Sequence, residues 1–231
     1  MKTQPFLLTA ALLGVLPALN AAVITESYTF NVGSTAGDIP DFVPATFSQL
    51  ISASQIVQLT EVQISLDLKG TAGFAGDMFV SLNRGLGTQT AVLLNQVGVT
   101  GSDPVGFGYN GWNVVFRDSA ANGDVHLGQP TAPATILTGD WEPDGRLSPS
   151  GSSRTALLDV FNSFAANSTW HLQVTDRSNG ATMTLNSWTL SFTGDTGSSV
   201  TGSSVPEPQH FAAFAGASLL GFALVRRFIR R

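Results

Sequence analysis

Of three histidines in the chain, His126 and His171 fall in the long middle part of the sequence, and acid–base chemistry has to be sought around them. A serine hydrolase of the nucleophile-elbow type needs Gly-x-Ser-x-Gly, and no such run occurs. His171 lies in Trp-His-Leu-Gln-Val, where alternation sends Trp170 and Leu172 to one face and His171 to the other. A triad with Asp176 would need a serine that the sequence does not mark. His126 lies in the polar stretch Asn-Gly-Asp-Val-His-Leu-Gly and reads as a surface or hydrogen-bonded histidine. Zinc chemistry has no support, since His-Glu-x-x-His is absent and the chain has no cysteine. Asp140-Trp141-Glu142-Pro143-Asp144-Gly145 imitates the start of an EF-hand loop, but position four is proline and position twelve is Gly151 instead of a bidentate glutamate. It reads instead as a Pro-Asp-Gly turn, with Arg146 free to pair with one of the carboxylates. Trp112, Trp170 and Trp188 share strand faces with Val, Leu and Phe and are expected in the core. Trp141 sits in a turn among carboxylates and is the tryptophan expected to be exposed, available to stack on a sugar ring.

The elements that must position these residues are strands. Val62, Ile64, Leu66 and Leu68 alternate along one face, as do Met78, Val80 and Leu82; Trp112, Val114 and Phe116; Trp170, Leu172 and Val174; and Trp188, Leu190 and Phe192. Tyr28, Phe30 and Val32 repeat the pattern near the start, and residues 91–94 read as a short buried strand. Gly, Asn, Asp, Ser and Pro clusters at 101–111 and 122–128 supply turns. Leu157, Phe161 and Phe164 give the one helical signal. The fold class expected is all-β, an antiparallel β-sandwich of jelly-roll type with one short helix. Between residues 22 and 205 six basic side chains stand against fifteen acidic ones, a net charge of −9 with no basic cluster, which excludes nucleic acid as a partner. Without cysteine the body is held by its core alone.

Both termini read as addresses. Residues 1–22 carry Lys2, an apolar stretch at 6–16, Pro17 and small residues at Ala18, Ala21 and Ala22, the layout of a secretory signal peptide read by Sec-type export machinery. Residues 23–193 form the body, and the Gly/Ser-rich segment 194–204 reads as a flexible linker. Residues 205–231 begin Val205-Pro206-Glu207-Pro208, continue through an uncharged apolar run at 211–225, and end in Arg226, Arg227, Arg230 and Arg231. A helix over 211–225 rises about 22 Å, short of a bilayer core of about 30 Å, so it reads as a marginal, transient membrane anchor. Its arginines face the cytoplasm and the body the periplasm. This order of parts resembles the PEP-CTERM sorting signal of Gram-negative bacteria. The resemblance implies processing by an exosortase during transfer to the cell surface or an extracellular matrix, with Pro206, Glu207 and Pro208 as substrate residues.

Inside the body, Phe74-Ala75-Gly76-Asp77-Met78-Phe79-Val80-Ser81-Leu82, followed by Gly87-Thr88 and Leu93-Leu94, resembles a stretch of the P domain, or Homo B, of kexin-like proprotein convertases. Further segments in order are similar to that family: Val115-Phe116-Arg117-Asp118-Ser119-Ala120, Thr138-Gly139-Asp140-Trp141-Glu142-Pro143, residues 169–176 and residues 187–192. Met78 departs from the family's Gly-Asp-Leu, and no subtilisin-like domain stands ahead of these segments. Asp77, Asp118 and Asp176 lie at strand ends within them, and hard oxygen ligands gathered at a sandwich edge would suit Ca²⁺. The function expected is that of an exported, non-enzymatic surface or matrix protein. A module binding exopolysaccharide and a peptidase-associated accessory domain are the alternatives.

Overall fold

The computed structural model describes residues 21–33, 36–70, 74–85, 87, 89–129, 135–180 and 182–199. The expected signal peptide, the expected membrane helix at 211–225 and the expected sorting motif, Val205 to Pro208 with the terminal arginines, lie outside the described residues. Ten strands follow in chain order: β1 (Ala21–Asn31), β2 (Asp38–Ile39), β3 (Ala45–Ile51), β4 (Gln58–Gly70), β5 (Met78–Arg84), β6 (Gln89–Asn95), β7 (Gly111–Phe116), β8 (Leu137–Trp141), β9 (Ser168–Asp176) and β10 (Met183–Ser199). Every alternating segment read from the sequence is among them. One sheet has the order β1-β10-β4-β7-β8, with β2 also paired to β10, and the other has the order β3-β9-β5-β6.

Register explains why alternation produces two sheets with one core. Leu66 of β4 lies opposite Trp188 and Val114, and Ile64 opposite Leu190 and Phe116, so three strands turn their apolar sets to the same side. In the second sheet Leu172 of β9 lies opposite Leu82 and Phe47, and Val174 opposite Val80 and Ala45. A one-residue slip would expose every one of these side chains. The inner faces merge into a single buried cluster in which Trp170 of one sheet stacks 5.0 Å from Phe192 of the other, with Phe161 edge-on at 5.0 Å. On the outer side, hydroxyl pairs bridge β1 and β10: Thr25 with Thr193 at 3.0 Å, Ser27 with Ser191 at 2.8 Å and Thr29 with Thr189 at 3.0 Å. Position falls along one strand as it rises along the other, so the two run antiparallel. Residues Ala22–Gly197 form one compact unit.

Three features depart from the sequence reading. β7 and β8 are parallel, from Trp112 opposite Leu137 to Phe116 opposite Trp141, and so the first sheet is mixed. Residues 117–136 are long enough for the crossover, which needs about a dozen residues. The helical signal resolves into a 3₁₀ turn at Leu158–Phe161, one of three among the described residues. With three residues per turn, Leu158 and Phe161 share the buried face, while Phe164 stays exposed. Finally, β10 continues through the first residues of the segment read as linker. Gly194 pairs with Leu59 and Asp195 with Gln58 after a register shift. A side chain at Gly194 would put its Cβ 2.2 Å from the Gln58 carbonyl oxygen, so the strand can pass only with glycine there. No helix among the described residues is long and apolar enough to cross a membrane.

Leu172 is fully buried and Leu50 is 70% exposed. Leu172→Ala should lower unfolding free energy by about 2–5 kcal/mol. Leu50→Ala should change it by less than about 0.5 kcal/mol. Urea unfolding of the two variants checks the difference.

Candidate functional site

The densest group of ionisable side chains is built on the free edge of β6. Asp144 N donates to the Leu93 carbonyl at 3.0 Å, Gly145 N to Val92 O at 2.9 Å, and Val92 N to Ala156 O at 2.8 Å, so residues 144–156 cover that edge. Gly145 turns the chain at φ +69, and a Cβ there would lie 2.6 Å from Leu157 Cδ2, which is why the turn needs Pro-Asp-Gly. The turn drives the Asp144 side chain fully inside. There it accepts hydrogen bonds from Asn95 N at 3.2 Å, His126 Nδ1 at 2.7 Å and Arg146 Nη1 at 3.2 Å. Arg146 also forms a two-pronged pair with Asp124 and donates through Nε to Gly151 O at 2.9 Å. Arg154 donates to Glu142 Oε2 at 2.7 Å, to Asp144 O at 3.0 Å and to Pro143 O at 2.6 Å. Asp124 additionally accepts from His126 N at 2.9 Å, capping the 3₁₀ turn Val125–Leu127.

The partners of His126 decide its protonation. Nε2 faces the Val99 carbonyl at 3.0 Å and Nδ1 faces a carboxylate, and neither acceptor can donate. Both acceptors therefore favour the protonated ring, in which each nitrogen donates. Burial pulls its pKa down, but the Asp144 carboxylate and the Val99 carbonyl outweigh that and the repulsion from Arg146, leaving it above the usual 6.5. Arg146, Arg154 and, when protonated, His126 thus face three carboxylates, Asp124, Glu142 and Asp144. Both ring nitrogens are thus engaged by acceptors of the same chain. The arrangement ties the β7–β8 crossover to the edge of the opposite sheet.

The residues singled out in the sequence are dispersed over the molecule. His171 sits half-buried on the outer face of its sheet, with Nδ1 2.7 Å from Ser48 Oγ on β3. That pair has the components of a nucleophile and a base. It lies on a strand face instead of in a cleft, and Asp176 is not its third member. Trp141 is half-buried rather than free: its ring packs over Gly128 and Nε1 donates to Thr138 O at 2.9 Å. Asp118 accepts from Leu158 N at 2.9 Å and Asp159 N at 2.7 Å and so caps a 3₁₀ turn; burial and the Asp159 charge raise its pKa against those two bonds. Asp77 and Asp176 lie at neighbouring strand ends. Burial raises both, Asp77 further through the Asp176 charge and Asp176 through that of Asp41. The expected calcium site from Asp77, Asp118 and Asp176 does not assemble, and among the described residues no group of three or more His, Cys, Asp or Glu side chains is placed to hold a metal ion. The physical reason is that Asp118 is spent on backbone N–H groups of another loop.

A cleft of about 330 Å³ opens beside Asp118, lined by Thr60, Glu61, Ser119, Asp159 and Asn162, with the Asn162 amide oxygen buried in its wall and without a partner. Sequence reasoning missed both this cleft and the burial of His126. The Arg146 pairing of the Pro-Asp-Gly turn and a hydrogen-bonded His126 were signalled in the sequence.

These features define an all-β, two-sheet domain tied across one edge by a buried ionic network. No family model and no curated protein matches the chain. Among solved structures it is similar to the serine protease of Aeromonas sobria, both alone and in complex with its chaperone. In each case identity is 18% and the TM-score 0.44, over 75% of this chain and 27% of that chain. The chain thus corresponds to about a quarter of the protease's length.

Because the folded pKa of His126 is raised, its contribution to stability is complete below about 6.5 and is lost as pH climbs through the folded value. The melting temperature should therefore fall on the alkaline side of 6.5 in the native protein, and His126→Gln should flatten that slope; thermal melts across pH check both. Asp144→Asn leaves buried cations without their carboxylate and should cost about 3–5 kcal/mol in urea unfolding.

Proposed function

We propose that this chain is an exported β-sandwich protein whose role is set by where it is delivered. A Sec-type signal carries it out, an exosortase processes residues 205–231, and the body remains at the cell surface or in an extracellular matrix, acting by adhesion or structure. The ordered tail carries this reading: Val205-Pro206-Glu207-Pro208, an uncharged run, then four arginines within the last six residues. The non-catalytic half is supported by the positive commitments of the body's charged groups, since His126, Arg146 and Arg154 are engaged with carboxylates and carbonyls of the same chain. Within this reading the body is a P-domain-like sandwich of jelly-roll type, supported by its five ordered sequence segments. A second reading, a peptidase-associated accessory module, is favoured by the same segments and would place the active site on another polypeptide. Exopolysaccharide is a ligand of suitable chemistry for the hydroxyl, amide and carboxylate lining of the cleft at Glu61 and Asn162.

Mass spectrometry of the surface fraction tests the sorting. The surface form should lack the tail, and deleting residues 226–231 should leave protein unprocessed in the inner membrane. Intact protein ending at Arg231 as the dominant surface species would refute processing. The surface form should also turn over no peptide, ester or glycoside substrate, and turnover abolished by Ser48→Ala or His171→Ala would overturn the non-catalytic reading.

A further inference from the structure

Three Asn-Gly pairs occur in the chain: Asn110-Gly111, Asn122-Gly123 and Asn179-Gly180. Such a pair can modify itself, because glycine leaves the following backbone nitrogen sterically free to reach the asparagine side-chain carbon. The structure treats the three very differently.

Gly111 is buried in β7 opposite Lys69, and Asn110 is pinned on both sides, its N–H donating to Thr135 O at 2.7 Å and its carbonyl accepting from Gly70 N at 2.9 Å. Gly123 donates its N–H to Ala120 O at 3.1 Å and accepts from Glu142 N at 2.8 Å. A carbonyl cannot remove that proton, and the second bond belongs to the tie between the crossover and residues 142–156. Asn179 and Gly180 are both exposed, in the turn between β9 and β10. Gly180 has φ +123, with nothing within 4 Å of where a Cβ would stand. Its N–H points at a carboxylate, Asp41 Oδ2, 3.3 Å away.

We propose that Asn179 is a site of self-inflicted covalent modification, with Asp41 as the proton acceptor. Asp41 Oδ2 takes the Gly180 N–H proton as the nitrogen attacks Asn179 Cγ, forming the N–Cγ bond of a five-membered tetrahedral intermediate. The Cγ–NH₂ bond then breaks, and the leaving nitrogen takes a proton and departs as ammonia, leaving a cyclic imide. Water adds to either imide carbonyl and the ring opens, giving aspartate or isoaspartate at position 179. The sum is amide plus water to carboxylic acid plus ammonia, with no oxidant or cofactor.

The product has a physical consequence. Asp41, which bridges to Asp176 through the backbone, already shares this end of the sheet with Asp77 and Asp176, whose pKa values are raised. A new carboxylate in the adjoining turn adds like charge there, and the isoaspartate form also inserts an extra carbon into the β9–β10 connection.

Incubation of the full chain in mildly alkaline buffer, followed by proteolysis and mass spectrometry that separates the two aspartyl isomers, tests the proposal. Modification at Asn179 should outpace that at Asn122 and Asn110 by about tenfold or more, the rate equivalent of one backbone-to-backbone hydrogen bond of the kind that pins Asn110 and Gly123, whereas the Gly180 N–H meets a carboxylate that can accept its proton. Comparable rates at either of them would overturn the assignment. Asp41→Asn should slow the reaction at Asn179 severalfold and leave Asn122 unchanged, and an unchanged rate at Asn179 would remove Asp41 from the mechanism. Asn179→Gln, which would require a six-membered ring, should suppress the modification at 179 without disturbing the fold. In concentrated urea the three sites should converge. A lead for Asn179 that survives unfolding would show that local sequence, and not the placement of Asp41, is responsible.

Discussion

A fully buried carboxylate is the condition on which one side of this molecule rests. Asp144 is carried inside by a turn that hydrogen-bonds along the free edge of β6, and burying an unpaired charge there would cost several kcal/mol. The His126 ring, whose pKa the carboxylate raises, and the Arg146 guanidinium compensate for it from flanking segments. Because His126 comes from the β7–β8 crossover and Arg146 from the edge-covering segment, the two are held to each other and to the second sheet. Replacing Asp144 with an apolar residue would remove the charge and also the instruction that fixes the crossover. Both inner faces of the sandwich stack through Trp170 and Phe192, but that contact says nothing about where a twenty-residue excursion must lie; the ion network does.

Period-two alternation made the strands legible, because a half-buried pleated segment must alternate and each such run in the sequence lies where a strand was expected. The same pattern cannot distinguish a parallel from an antiparallel neighbour, since both present alternate side chains to one face. Hence the parallel β7–β8 pair was invisible until the chain path was known. Charged loops were harder still. Asp124, His126 and Asp144 look solvated in sequence, and become interior only because backbone pairing to β6 brings them together across twenty residues. Arg146 was the exception, since a Pro-Asp-Gly turn puts the next side chain back over the turn's own carboxylate. Trp141 is the one tryptophan that keeps partial exposure, in keeping with its polar neighbours in sequence, and the space that covers the rest of its ring is left open by Gly128 in a different segment.

The body and the termini differ in chemistry. The largest group of charged body side chains is engaged with one another at the β6 edge, while the tail sequence joins a proline-flanked glutamate, an apolar run and a basic end. With no cysteine in the chain, the body's cohesion rests on its core and on this ionic network instead of on cross-links.

β10 is the last described strand, and the polypeptide continues from it toward residue 231. It is flanked by β4 on one side, with backbone pairing from Met183 to Asp195, and by β1 on the other, with the three hydroxyl rungs. Tension applied through the following residues while the body is held in place therefore runs along the strand axis. Such a load shears both flanking ladders at once instead of peeling them bond by bond. The last described strand is in this way gripped along both edges, and a domain loaded through it would resist unravelling more strongly than one loaded through an edge strand.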